Sequence, residues 1–321
     1  MRKSVLVPII VIVTVLMIVL SGCKQKSPET QEPVKEIDEP AEEVLGEEVD
    51  KESVMEDFNS LLENENEPDK IVTFIDKEIG KLSDIEGDQM VLQLEKSMEK
   101  SLDPITNKII ELDTDRELIE IGGSELFFPE DKVKDIKNEE LRQEVEKALK
   151  SKYKLINLEG AFYPIIDYEK LQEYNNNISP ELKDYLAIKA MDSKKPVAID
   201  GALYISFDEL SQRILKAEDY LQKYSGGKRH EEMLKNYKEK LELYLLGLPN
   251  TPISDRESGK IKEEVLESYK DTVNTKDKAT AYIVRKYLKS IEENEYIIDE
   301  SVTRNIVELV NEAISLLKET K

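Results

Sequence analysis

Residues 207–248 read FDELSQRILKAEDYLQKYSGGKRHEEMLKNYKEKLELYLLGL. Leu210, Ile214, Leu221 and Tyr224 recur at the three- and four-residue steps that place side chains on one face of a helix. Past Gly226-Gly227 the pattern resumes with Leu234, Tyr237, Leu241, Tyr244 and Leu248. Ser206-Phe-Asp-Glu209 has the form of a capping box, in which Ser and Glu satisfy the free amides at the start of a helix. The stretch therefore predicts two antiparallel helices around a glycine turn, each burying one stripe.

The same periodicity continues in both directions. Downstream, stripes run through Ile261, Val265, Tyr269 and Val273, then Ile283, Tyr287 and Ile291, then Val302, Ile306, Leu309, Ala313 and Leu317. Upstream, Ser179-Pro180 matches an N-cap with Pro at the first helical position, and Glu139 to Lys150 reads as another helix. Shorter stripes surround Phe58 and Leu62, Ile71, Ile75 and Leu82, and Val91, Leu94 and Met98. Between them, Ile119-Glu-Ile121 and Glu125-Leu-Phe-Phe128 flank Gly122-Gly123 as a predicted hairpin. Leu155–Leu158, Tyr163–Ile166 and Ala202–Ile205 read as short strands. The expected class is mainly α: an antiparallel helical bundle or helical-hairpin array, with a small β element near the middle of the chain. Pro, charge and a helix cap coincide at 129–138, which suggests a lobe boundary there.

Ala217 to Tyr224, the glycine turn and the helix carrying Tyr237 resemble the paired-helix units of tetratricopeptide-type extracytoplasmic lipoproteins. The small residues that such units place at helix contacts are mostly absent, and no clean repeat period is visible. A plain bundle needs fewer assumptions.

The N-terminus carries an address. Arg2 and Lys3 precede a 16-residue apolar run, Val5–Leu20, which spans roughly 24 Å as a helix and so suits a signal better than a permanent span. Leu20-Ser21-Gly22-Cys23 then resembles the lipobox of bacterial lipoprotein precursors. That resemblance implies diacylglyceryl transfer to the Cys23 thiol and cleavage after Gly22, making 1–22 a signal peptide. Two acyl chains suffice for stable anchoring. The implied location is the cell membrane, with the protein facing outside the cytoplasm and Cys23 contacting membrane lipid. Residues 24–50 hold ten acids, three Lys and three Pro, a composition that cannot bury enough surface to fold and reads as an extended tether. The mostly helical domain is then 51–321, with a net charge of about −18 that repels anionic lipid and wall polymer.

Composition narrows the chemistry. One Cys excludes an internal disulfide, one Cys and one His are too few for a zinc site built on Cys and His, and a pI near 4.7 opposes nucleic-acid binding. His230, the only His, begins a helix after Gly-Gly-Lys-Arg and reads as an exposed residue near a cap. Gly122-Gly-Ser124-Glu-Leu126 lacks the last Gly of a nucleophile elbow. Ser97-Met-Glu-Lys100 and Ser151-Lys-Tyr-Lys154 match a Ser-x-x-Lys pair only as often as a Lys-rich chain does by chance. Asp113-Thr-Asp115-Arg-Glu117 alternates carboxylates without the Gly or terminal Glu of a calcium loop. No catalytic residue, metal ligand or cofactor motif emerges.

All 14 Tyr lie beyond residue 150, ten of them between Tyr153 and Tyr244. Most fall on core stripes. Tyr220, near a stripe edge, is expected to turn its ring outward toward a partner. The leading functional expectation is thus a lipid-anchored extracytoplasmic protein whose helical domain binds an envelope or surface protein. A carboxylate-based envelope hydrolase is the first alternative, and a solute-binding lipoprotein of an uptake system, normally two α/β lobes, is the second.

Overall fold

The computed structural model describes residues 50–64 and 67–319. The stretches expected to be signal, lipobox with Cys23 and tether, up to residue 49, lie outside the described residues.

The first half is built on one long helix. α1 (Lys51–Asn64) and α2 (Pro68–Glu78) precede α3 (Asp84–Leu112), whose 29 residues run about 44 Å at 1.5 Å each. Ser83 starts α3 with a capping interaction, its N–H donating to the Glu86 carboxylate at 2.8 Å. Val91, Leu94 and Met98 point inward as their spacing predicts, and Phe58, Ile71 and Ile75 pack with them. Gly87 allows a close approach: a Cβ there would stand 1.8 Å from the Asn177 carbonyl oxygen, so only Gly lets the 172–178 segment cross the helix.

α4 (Glu117–Gly122), a 3₁₀ turn (Glu130–Asp135), α5 (Glu139–Lys150) and an antiparallel pair, β1 (Tyr153–Leu158) and β2 (Ala161–Ile166), enclose a second, smaller core. In the 129–138 stretch, Val133 and Ile136 are buried members of that core. Phe128 and Phe162 meet edge to face within it at 5.3 Å. β1 and β2 are joined by Glu159-Gly160, both at positive φ (53° and 79°), the two-residue turn that matches strand twist. The hairpin expected across Gly122-Gly123 does not form. Ile119–Ile121 belongs to α4, where Leu118 is buried, and the 126–128 stretch instead pairs with β1 through Phe128 N–H to the Leu155 carbonyl (2.9 Å) and Asn157 N–H to the Leu126 carbonyl (2.8 Å).

α6 (Tyr168–Leu171) leads to α7 (Pro180–Lys194), whose N-cap Ser179 accepts from Leu182 N–H. The short pair β3 (Ala198–Ile199) and β4 (Ala202–Leu203) leads to α8 (Phe207–Lys223) and α9 (His230–Leu246). β5 (Gly247–Leu248) and β6 (Thr251–Pro252) then precede α10 (Glu263–Val273), α11 (Ala279–Glu293), α12 (Glu300–Thr303) and α13 (Ile306–Glu319). α8 pairs with α9, α10 with α11, and α13 closes against α11 and α9. The mainly α expectation holds: the β content of the described residues is three two-stranded pairs and isolated bridges.

Local differences have local causes. Gly247 at φ 70° ends α9, so Leu248 leaves the helical stripe and joins β5. The strand at Ala202–Ile205 shortens to Ala202–Leu203. Only half of the capping box at Ser206 forms: its Oγ accepts from Glu209 N–H (3.1 Å), while the Glu209 carboxylate is taken by Arg213 and Lys195, each at 2.6 Å.

Tyrosine rings fill the second half of the main core. Tyr237, Tyr244, Tyr269 and Tyr287 are fully buried, and most of their hydroxyls find partners. Tyr269 donates to the Tyr244 carbonyl at 2.7 Å, and Tyr244 meets Ser268 and Thr272 at 2.8 and 2.9 Å. The Tyr287 hydroxyl has no partner among the described residues, a local cost of about 1–3 kcal/mol for a buried polar group.

Candidate functional site

Glu95 breaks the pattern of α3. It shares the buried stripe of Val91, Leu94 and Met98, yet it carries a carboxylate and is 1% exposed. Burial of a charge is costly unless partners answer it, and here they come from three other elements. Tyr168 of α6 donates to Glu95 Oε1 at 2.8 Å. Tyr185 of α7 places its hydroxyl 2.6 Å from the same oxygen and 2.6 Å from Glu232 Oε1 of α9. Arg229, at the N-cap of α9, pairs with Glu95 Oε2 through Nη2 and with Glu232 Oε2 through Nη1 at 3.2 Å. Lys189, one helical turn beyond Tyr185, donates to Glu232 Oε1 at 2.8 Å and lies 4.9 Å from the Tyr168 ring centroid.

Each position has a sequence reason. Tyr185 and Lys189 are four apart on α7 and share a face. Glu232 lies in the first turn of α9, where the helix dipole favours an acid. Together the groups form a clasp joining α3 to α6, α7 and α9.

The two carboxyls are held differently. Burial pushes the Glu95 carboxyl above the usual carboxylate range, against the Arg229 charge and the tyrosine hydroxyls. Burial also opposes the charge on Glu232, but Lys189, Tyr185 and Arg229 outweigh it and hold that carboxyl low. Burial, with the Glu95 charge, drives the Tyr185 phenol well up, so it stays protonated. Glu99, exposed and one turn along α3, brings a third carboxylate within 4.8 Å of these two. The positive charge facing the three acids is supplied by the protein itself, as Arg229 and Lys189.

Two carboxyls with separated proton affinities are the raw material of acid–base catalysis. Glu95, however, is sealed, and its oxygens are occupied by Tyr168, Tyr185 and Arg229. In this arrangement the cluster can hold helices together and retain a proton.

The residues singled out from sequence are scattered. Tyr220 requires a correction: its side chain is 2% exposed, its hydroxyl donates to Glu181 Oε1 at 3.1 Å, and its ring packs on Tyr224 with centroids 4.9 Å apart. It turns inward because α7 covers the side of α8 left free by α9, so the helix pair buries more than one face. His230 sets Nδ1 3.2 Å from the Tyr224 carbonyl oxygen, a contact within the turn. Asp113 accepts from Leu118 N–H at 3.2 Å, and Glu117 accepts from the amides of Lys137 and Asn138, so these acids organise backbone. Cys23 lies outside the described residues. Sequence reasoning missed Glu95, Tyr168, Tyr185, Arg229 and Glu232, although a Glu on the Val91–Met98 stripe was a readable signal.

Large apolar side chains are also exposed, and half of the eight among the described residues lie on or beside the connections that follow α7, α9 and α11: Tyr204, Leu246, Tyr296 and Ile297. These connections are hydrogen-bonded in series. Asn250 N–H donates to the Gly201 carbonyl and Leu203 N–H to Thr251 Oγ1, while Ile261 N–H donates to the Tyr296 carbonyl and Ile298 N–H to Gly259. Among the described residues no helix is long and apolar enough to cross a membrane.

Comparison of the chain with protein-family models, with curated proteins and with solved structures finds no match.

Proposed function

We propose that this chain is a lipid-anchored extracytoplasmic protein, attached through Cys23, whose helical body binds another envelope or surface protein. The observation that carries the binding reading is the placement of its exposed apolar groups. Tyr204, Tyr296 and Ile297 lie on mutually hydrogen-bonded connections and Leu246 ends the helix beside one, while the most deeply buried carboxyl of the clasp is engaged internally. Aromatic and aliphatic anchors on a braced loop surface suit protein recognition. The lipobox-like Leu20-Ser21-Gly22-Cys23 supports the anchor. A solute-binding lipoprotein would be expected as two α/β lobes, and the body is helical.

A photo-crosslinking residue at position 204 or 297 on whole cells should capture one defined partner, and the same residue at exposed Lys289 should not. Equal capture from all three positions would defeat the interface. Metabolic lipid label should enter the wild type and not Cys23→Ala; equal labelling would defeat the anchor. Turnover of wall-derived substrates by the purified protein would replace the binding reading with the hydrolase.

A further inference from the structure

The clasp has more short oxygen–oxygen contacts than its tyrosines have hydrogens. Three such contacts exist: Tyr168 Oη to Glu95 Oε1 (2.8 Å), Tyr185 Oη to Glu95 Oε1 (2.6 Å) and Tyr185 Oη to Glu232 Oε1 (2.6 Å). Each is within hydrogen-bonding range and needs one hydrogen between its oxygens. Tyr168 and Tyr185 bring two. Arg229 Nη1 and Nη2 and the Lys189 ammonium point at carboxylate oxygens from outside these three contacts, and Arg229 Nε–H meets no partner among the described residues.

Charge gives the same answer. Glu95, Glu99 and Glu232 face Arg229 and Lys189, which leaves one carboxylate in excess. Other charges nearby do not remove that excess: Glu181 of α7 accepts from the Arg229 backbone N–H, and Lys228 is paired with Asp88.

We infer that the clasp holds one proton beyond those of its tyrosines, carried on Glu95, and that this proton makes the joint between α3 and α7/α9 tighten in acid and slacken in alkali. The assignment to Glu95 follows from its surroundings. Glu232 is paired with two cations and is 28% exposed at its side chain, whereas Glu95 is paired with one cation and is 1% exposed. The hydrogens then order themselves: Tyr168 donates to Glu95, protonated Glu95 donates to Tyr185, and Tyr185 donates to Glu232. Losing the proton leaves Tyr185 with one hydrogen between two carboxylates, one of them fully buried.

The sign follows from linkage. A carboxyl that binds its proton more tightly when folded makes the native state hold more protons than the unfolded one, so stability declines as pH rises from the unfolded carboxyl value through the native one. For a cell-surface protein the relevant variable is external pH. The device operates whether or not the proposed binding function is correct.

Infrared spectroscopy of the full chain in mild detergent at pH 7 tests the inference. A protonated carboxyl C=O band should be present, shift in D2O, persist in Asp113→Asn, and vanish in Glu95→Gln, a neutral isostere. Absence of the band in the wild type, or its survival in Glu95→Gln, would overturn the inference. So would its loss in Asp113→Asn, which would assign the band elsewhere. The wild-type urea midpoint should also fall with rising pH more steeply than that of Glu95→Gln, and equal slopes would overturn the pH response. Should Glu95→Gln fail to fold, wild type and Asp113→Asn decide: the band must be present in both and decline together with the urea midpoint as pH rises, and any other result overturns the inference.

Discussion

Glu95 and Glu218 are the same side chain, 1% and 0% exposed, in two regions of one helical body. Glu218 of α8 meets the start of α11, accepting from Ala279 N–H (2.6 Å), Thr280 N–H (3.0 Å) and Thr280 Oγ1 (2.5 Å), with Gln222 at 3.2 Å. Every hydrogen in those contacts comes from the donor side, and the positive end of a helix supplies most of them. Around Glu95 the neighbours include hydroxyls and a second carboxyl, so contacts outnumber the hydrogens on offer. A buried acid facing backbone amides is a fixed strut. Facing tyrosines and another acid, it becomes a group whose state the solution can change.

The largest effect is expected where the strut is removed. Glu218→Ala leaves two backbone N–H groups at the start of α11 without their acceptor, while the Thr280 hydroxyl keeps Tyr237 at 3.0 Å, and should cost about 2–6 kcal/mol in urea unfolding, at 1–3 kcal/mol per unsatisfied group. A cost below that of removing Arg229 would break the contrast between the two sites. Next in size, Arg229→Ala should cost about 2 kcal/mol, the scale of hydrogen bonds to charged groups, and the loss should grow with pH as Glu95 sheds its proton. A loss that shrinks with pH would reverse the picture of which state Arg229 supports. Smallest is Tyr168→Phe, at about 1 kcal/mol, because Tyr185 still meets the same Glu95 oxygen. The same unfolding measurement checks it, and a cost equal to that of Glu218→Ala would make Tyr168 as indispensable as the strut.

How much of this was legible differs between the two glutamates and the elements around them. The stripes through Leu210 and Tyr237 announced α8 and α9 because apolar spacing is a local property, and Glu139–Lys150 emerged with its ends in place. The turn at Gly122-Gly123 misled because flanking apolar residues suit a strand or a short helix equally, and packing of Leu118 into the smaller core decided for the helix. Tyr220 misled for a related reason: spacing shows which face meets the nearest helix, but not that α7 covers another. The Glu95 clasp gathers residues from positions 95 to 232, so no local pattern could assemble it. Only its odd member, an acid among apolar neighbours, was visible.

The length of α3 has a consequence for how the molecule opens. Its middle turns belong to the main core through Met90, Leu94 and Met98, its end belongs to the smaller core through Ile109, and Ile105 packs against both. A helix shared in this way ties the two cores into one cooperative unit, since neither can melt without stripping contacts from the other's wall. Backbone amides near Val91 and near Ile109 should therefore exchange with solvent at closely similar rates under conditions where opening is global. Exchange would report the two cores as a single event.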